Sequence, residues 1–207
     1  IKGRQLRCII EEASGIVIEA NRKRIEARAK EKSEPDDPPV LFLRGGVLAQ
    51  LKYSHSTAPE LVELGENAMY GILARDADWV AVGEEGQLYA TTPPKDVARY
   101  MVTFPPDGFP CVDTVITTPV FGKDGNLLVR PGLHADEHLW LQADKSLVLP
   151  EIPQAPSADD KAKARSLFVD DLLVDFPFAS EADRAHMITA LLLPFARRLV
   201  HGNTPMH

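Results

Sequence analysis

The 207-residue sequence holds only two cysteines, Cys8 and Cys111, about half the chain apart. So sparse a pair excludes the disulfide-dense scaffolds of small secreted proteins. Both cysteines have apolar neighbours, which predicts two buried free thiols in a reducing compartment. The N-terminal residues lack the apolar stretch and the small-residue cleavage site of a signal peptide, so we expect a cytoplasmic protein.

Long apolar runs are also missing. The longest such segment, residues 188–193, is ended by Pro194 and falls well short of the roughly 18 residues that a membrane span requires. We therefore expect no membrane partner. With 44% hydrophobic residues and a net charge of −7, the chain has the composition of a folded protein, since disordered chains are less apolar and more highly charged.

The common catalytic signatures are absent from the sequence. Residues 166–171 resemble a Walker B strand, in which an apolar run ends in two acids, but no glycine-rich phosphate loop of the G-x-x-x-x-G-K-[ST] type occurs. The helical periodicity around this segment predicts a helix there. No G-x-S-x-G nucleophile motif is present either, and we expect no catalytic residue in this chain.

One string matches a metal motif. His134, Glu137 and His138 fit the H-x-x-E-H pattern, in which two histidines one helical turn apart bind zinc and the glutamate activates water. That chemistry requires a helix, whereas the string lies between a Pro-Gly pair and a predicted strand. We expect a turn without a bound metal. A metal-dependent hydrolase that uses these residues is kept as an alternative functional hypothesis.

Charge is distributed unevenly along the chain. The first 32 residues hold nine basic and five acidic residues, a balance of +4, which leaves −11 for the remainder. Such asymmetry is typical of a segment that meets a polyanion, and clustered cations bind phosphates with strong salt dependence. The alternative is a solvated helix end. The predicted DNA-binding residues are Arg22, Lys23, Arg24, Arg28, Lys30 and Lys32.

The order of the predicted elements indicates an α+β fold with a long N-terminal helix, antiparallel hairpins with short helices, and a C-terminal helical pair. Apolar residues at helical spacing open the chain, and a proline-rich stretch ends that helix. The expected helices cover about residues 4–32, 66–75, 95–101, 157–175 and 180–193. The expected strands cover about residues 40–44, 47–53, 79–82, 87–90, 114–121, 126–130, 139–143 and 146–149.

Composition also suggests three segments. We expect a basic N-terminal helix over residues 1–34, a mixed domain rich in hairpins over residues 35–150, and a helical subdomain over residues 151–207. The proline-rich connector at residues 150–156 marks the second boundary.

Several stretches resemble, in the same order, the region that precedes the ATPase module of bacterial prophage and mobile-element primase-helicases, which are AAA+-like proteins. The resemblance spans nearly the whole chain, but it rests on turns and packing positions. The stretches are residues 3–7, 38–46, 117–121, 124–128, 131–132, 172–178, 182–184 and 190–193.

This resemblance implies a non-catalytic accessory domain that supports DNA binding or assembly during replication of a mobile element. ATP and Mg²⁺ are expected only for an ATPase module that follows this chain. The basic stretch at residues 22–37 departs from the family pattern, so the DNA-binding assignment there is our inference from charge. A homo-oligomeric assembly module without DNA binding is the second hypothesis.

Overall fold

The computed structural model describes residues 5–30, 37–52, 59–142, 147, 153, 155–200 and 202. The fold is α+β, as predicted. The α-helices are α1 (Leu6–Lys30), α2 (Glu66–Asp76), α3 (Lys95–Thr103), α4 (Ala158–Ser166) and α5 (Glu181–Ala196). The strands are β1 (Leu41–Arg44), β2 (Val47–Lys52), β3 (Glu60–Glu63), β4 (Val80–Val82), β5 (Leu88–Ala90), β6 (Thr114–Ile116), β7 (Val120–Phe121), β8 (Leu127–Leu128), β9 (Gly132–His134) and β10 (Leu139–Leu141).

The chain divides into two compact units. The first unit comprises residues 1–118 and 130–143, and the second comprises residues 119–129 and 144–207. Contacts thus group the residues differently from the three segments suggested by composition: α1 belongs with the hairpin-rich residues, and the β7–β8 hairpin belongs with the C-terminal helices.

The first unit contains two three-stranded sheets, with strand orders β1-β2-β3 and β6-β10-β9, and the two-stranded β4–β5 sheet. The predicted hairpin at residues 40–53 is confirmed as β1 and β2, which pair antiparallel from Leu41–Gln50 to Arg44–Val47. Its turn residues Gly45 and Gly46 both have positive φ, a conformation that tight hairpin turns require and glycine adopts at little cost.

Two apolar clusters fill the first unit. Helix α1 buries a stripe of side chains with helical spacing, which explains why this segment folds as an amphipathic helix. The larger cluster combines α1, α2 and α3 with the first sheet and includes Ile10, Val17, Leu41, Leu48, Met69, Leu73, Val97 and Met101. The smaller joins strands of the two sheets and consists of Val40, Phe42, Leu51, Val112 and Trp140.

Strand β10 corrects the prediction that residues 139–143 form an edge-like strand. It lies between β6, which is parallel to it, and β9, which is antiparallel. Leu139, Trp140 and Leu141 are all buried, and an unbroken apolar run is typical of a strand covered on both faces. The strands expected at residues 114–121 and 126–130 do form a hairpin, in which β7 pairs with β8. Its first strand is shorter than expected, because residues 114–116 form β6, which pairs with β10.

The prediction of two buried thiols is wrong, because Cys8 and Cys111 are both exposed. Cys8 lies on α1 outside the inward stripe that begins with Ile9 and Ile10. Cys111 precedes the buried Val112 in an extended segment, where successive side chains point to opposite faces. An apolar neighbour in sequence therefore does not place a cysteine in the core.

The second unit contains the β7–β8 hairpin, α4 and α5. Helix α4 continues into a π-helical segment, Leu167–Leu172, and α5 continues into a single 3-10 turn, Arg197–Leu199. The helix expected around residues 166–171 is thus confirmed, whereas α5 runs two residues past Pro194, beyond its predicted end at residue 193. Within the described ranges, no helix combines enough length with enough apolar character to cross a bilayer.

A capping box starts α4. The main-chain N–H of Asp160 donates to the Ser157 hydroxyl, and the Asp160 carboxylate accepts from the N–H and the hydroxyl of Ser157, at 2.9 and 2.7 Å. The hydrogen bond from the Ser157 hydroxyl is the larger cause, and the bond from the Ser157 N–H is the smaller cause, that holds the pKa of Asp160 below its ordinary value. These contacts satisfy main-chain groups that a helix start leaves without intrahelical partners.

We expect Ser157→Ala to raise the pKa of Asp160 toward its ordinary value, because the variant removes the hydroxyl donor. Since the folded-state pKa is lowered, the stabilisation from the carboxylate is present above the unfolded-state pKa and is lost as the pH falls through the folded value. NMR titration of the side-chain carboxyl carbon measures the change. An unchanged Asp160 pKa in the variant would contradict the assigned cause.

Candidate functional site

The basic cluster of α1 divides between two sides of the helix. Arg22 and Lys23 face outward, where Arg22 contacts Glu19 and Glu26 at 2.8 and 2.9 Å and Lys23 lies 3.5 Å from Glu19. The Arg22 hydrogen bond is the main cause that holds the pKa of Glu19 below its ordinary value. A phosphate would therefore compete with carboxylates that already hold these cations.

Arg24 and Arg28 face inward. Arg24 forms an ion pair with Asp76 at the end of α2, and the side chains are only 15% and 2% exposed. Arg28 donates to the main-chain oxygen of Pro38 at 3.2 Å and lies 3.6 Å from the carboxylate of Asp37. Both arginines therefore attach α1 to neighbouring parts of its own unit.

The predicted DNA site is thus not one continuous surface in the described residues. Arg22 and Lys23 share the outward side of α1, while Arg24 and Arg28 contribute to the fold. The side chain of Lys30 and the whole of Lys32 lie outside the described residues. DNA contact stays a prediction, and in the described part of the cluster it concerns Arg22 and Lys23.

The H-x-x-E-H string forms a turn, as predicted, and not an α-helix. His134 ends β9, Glu137 ends a 3-10 turn, and His138 has a positive φ of 50°. The His134 imidazole lies 2.8 Å from the main-chain oxygen of Arg130, and His138 lies 3.3 Å from the carboxylate of Asp113. The two histidines do not share a helix face, and no group of three or more potential metal ligands occurs among the described residues.

Asp113 also lines an open cleft of about 350 Å³ between β3 and β6. Arg44 and Glu60 are the other charged residues of its lining. One cation and two acids at strand ends do not form a recognisable catalytic set. The cleft is therefore not a second candidate catalytic site beside the H-x-x-E-H string.

A surface that the sequence analysis did not identify lies on the second unit. The π-helical segment and the turn that follows leave four large apolar side chains largely in solvent, with exposures of 48–63%. Three exposed acids accompany them. We call this the acidic apolar surface; it consists of Leu167, Leu172, Val174 and Phe176 with Asp170, Asp171 and Asp175.

Another apolar region lies at the end of α5. Its four large apolar side chains have exposures of 39–43%, and an exposed arginine, Arg197, lies among them. The Arg197 guanidinium donates to the main-chain oxygens of Val200 and Gly202. We call this the basic apolar surface; it consists of Leu192, Phe195, Leu199, Val200 and Arg197.

These surfaces contrast with the small interior of their unit. Among its described large hydrophobic side chains, Val120 and Leu173 are buried, each at 8% exposure. A domain of this size normally depends on a substantial core, and clustered exposed apolar residues are typical of interaction sites. The described part of the second unit therefore leaves more of its large apolar side chains exposed than buried.

The sequence carried a signal for these surfaces. Residues 172–178 place six large apolar residues, counting Pro177, around a single acid, and residues 191–195 are entirely apolar. Dense apolar stretches of this kind are normally assigned to a core. What the sequence does not show is that the described unit provides too little structure to cover them.

Comparison with known proteins adds no family. No protein-family model matches the chain, and no match was found among curated proteins or among solved structures.

Proposed function

We propose that this chain is a non-catalytic accessory module of a mobile-element primase-helicase, and that it works by subunit assembly. The sequence resemblance supports the replication setting. The single observation that supports assembly is the exposure of the apolar side chains on the second unit. In this proposal ATP and Mg²⁺ bind to a following ATPase module and not to this chain.

The energetic reason is the cost of leaving these side chains in water. Burying a Leu, Val or Phe side chain contributes about 1.5–3 kcal/mol. Even when the exposed fraction of about one half and the loss of freedom on association are taken into account, eight such residues supply enough for a specific contact. The cations of α1 supply less for DNA, because Glu19 and Glu26 already pair with Arg22 and Lys23.

DNA binding therefore ranks behind assembly as a function of this chain. Counterion release drives binding only when cations are available to neutralise phosphates. Arg24 and Arg28 are engaged inside the first unit, which leaves the outward pair on α1 as the described candidates for such contact.

We expect the 207-residue chain to self-associate reversibly at micromolar concentration, and Leu172→Ser with Val174→Ser to weaken this association at least about tenfold. Both side chains are more than 60% exposed, so the substitutions remove apolar contact area without opening a core. Sedimentation velocity over a concentration series measures the effect, and circular dichroism verifies that the helices remain.

The matched control is Val80→Ser with Leu88→Ser. These residues are similarly exposed, at 57% and 68%, and lie on one face of the β4–β5 hairpin in the first unit. The control should associate like the parent chain. A chain that stays monomeric at several hundred micromolar, or a control that weakens association as much as the Leu172 variant does, would contradict the proposal.

A further inference from the structure

The C-terminal sequence is electrically polarised. Residues 166–183 hold five acidic residues and no lysine or arginine, whereas residues 184–200 hold three arginines and no acidic residue. The change of sign falls within the first turn of α5. Arg184 pairs with Glu181 at 2.7 Å and lies over the ring of Phe178. On the two apolar surfaces themselves, three acids on the one therefore contrast with Arg197 on the other.

The two surfaces occupy different places in that unit. The π-helical segment continues α4 along the chain, while α5 and the 3-10 turn at its end pack against β7. Asp170 accepts a hydrogen bond from the neutral hydroxyl of Ser166 at 2.7 Å, and Arg197 donates to neutral carbonyl groups. These bonds leave the charges of Asp170 and Arg197 in place for a partner.

A contact between two identical surfaces would place charges of one sign together. The acidic apolar surface would then face a second set of Asp170, Asp171 and Asp175, and like charges at an interface oppose association. Pairing one acidic apolar surface with one basic apolar surface instead gives attraction together with apolar burial.

We propose that the acidic apolar surface binds the basic apolar surface of a second copy. This proposal rests on the assembly function proposed above. If one such contact forms between two copies, one copy keeps a free basic surface and the other keeps a free acidic surface, and the contact can propagate into a ring or a filament. If the contact forms twice, reciprocally, the assembly is a two-fold dimer.

The available area is consistent with this contact. At ~150–200 Å² for a large side chain, the exposed fractions of the eight apolar residues amount to about 700 Å². A stable interface buries roughly 1,200–2,000 Å² in total. The eight side chains thus supply about half of the required area, and the polar residues around them supply the rim.

Complementary variants test the direction of the contact. Asp171→Lys with Asp175→Lys alters only the acidic apolar surface, and Arg197→Glu alters only the basic one. We expect each variant alone to associate at least tenfold more weakly than the parent chain. In a mixture, the intact basic surface of the first meets the intact acidic surface of the second, and the two reversed surfaces also carry opposite charges, so the mixture should recover the association that neither variant shows alone.

Light scattering coupled to size-exclusion chromatography gives the mass of the mixture. Leu199→Glu serves as a second variant of the basic surface, because it leaves the hydrogen bonds of Arg197 in place, and Glu85→Lys with Asp107→Lys controls for net charge. A mixture in which no complex forms overturns the pairing of the acidic apolar surface with the basic apolar surface. If the mixture fails while Leu172→Ser with Val174→Ser still weakens association, the assembly function stands without it; a monomeric parent chain overturns both.

Discussion

Replacing Asp76 by alanine is expected to destabilise the first unit by about 3–5 kcal/mol, because it leaves the positive charge of Arg24 unpaired in the interior. Asp76 is 2% exposed and ends α2. An acid at a helix C-terminus is unfavourable for the helix dipole, so the position depends on its partner in α1. Chemical denaturation followed by tryptophan fluorescence measures the loss, since Trp79 and Trp140 both lie in this unit.

The exposed acid two residues later provides the control. Asp78→Ala makes the same chemical change at the surface and should alter the free energy of unfolding by less than about 0.5 kcal/mol. A loss at Asp76 no larger than at Asp78 would show that the ion pair contributes little.

A double replacement separates charge from packing. Within the described structure, Arg24 Nη1 and Asp76 Oδ2 are buried without a hydrogen-bond partner, so the pair is incompletely satisfied. Apolar residues of similar volume often replace such pairs with little or no loss. Arg24→Met with Asp76→Leu should therefore recover most of the stability that Asp76→Ala removes.

The inward position of these arginines was open to prediction from spacing. Residues 17, 21, 24 and 28 continue the stripe that begins at residues 10 and 13, and this spacing of three or four residues places Arg24 and Arg28 on the buried side of α1. The number of cations in the cluster predicts a basic segment. The spacing of these cations along α1 predicts which of them are exposed to solvent.

Local sequence patterns predicted where a strand lies better than they predicted which other strand it pairs with. Alternation and the Gly-Gly pair were sufficient for the β1–β2 hairpin, because the two strands are adjacent in sequence. The partner of β10 was not predictable in this way, since β6 lies 25 residues earlier and pairs in parallel. Nothing local in Leu139–Leu141 names that partner.

The C-terminal surfaces show a different limit of sequence reasoning. Apolar residues at helical spacing were expected to indicate a face that packs, and Leu167, Leu172 and Phe176 do lie together along the chain. Whether such a face packs within its own unit depends on how much other structure is present. Burial thus depends on the tertiary structure around a segment, which a local pattern does not contain.

Asn21→Ala is expected to destabilise the first unit by about 2–6 kcal/mol, because two buried main-chain groups lose their partners at about 1–3 kcal/mol each. Asn21 is 1% exposed. Its amide donates to the Leu41 oxygen at 2.8 Å, and its side-chain oxygen accepts from the Leu41 N–H at 2.7 Å. Denaturant unfolding monitored by tryptophan fluorescence measures the difference.

These bonds complete one edge of β1. Along that edge, Leu43 pairs with the main chain of Pro110 and Val112 at 2.9 Å, and the Asn21 side chain performs the same function for Leu41. The exposed Asn67→Ala in α2 is the control, and it should be neutral or slightly stabilising, because alanine favours a helix more than asparagine does. If Asn21→Ala behaved like Asn67→Ala, the side chain would not be what holds α1 to the sheet; a large difference between them would measure that attachment directly.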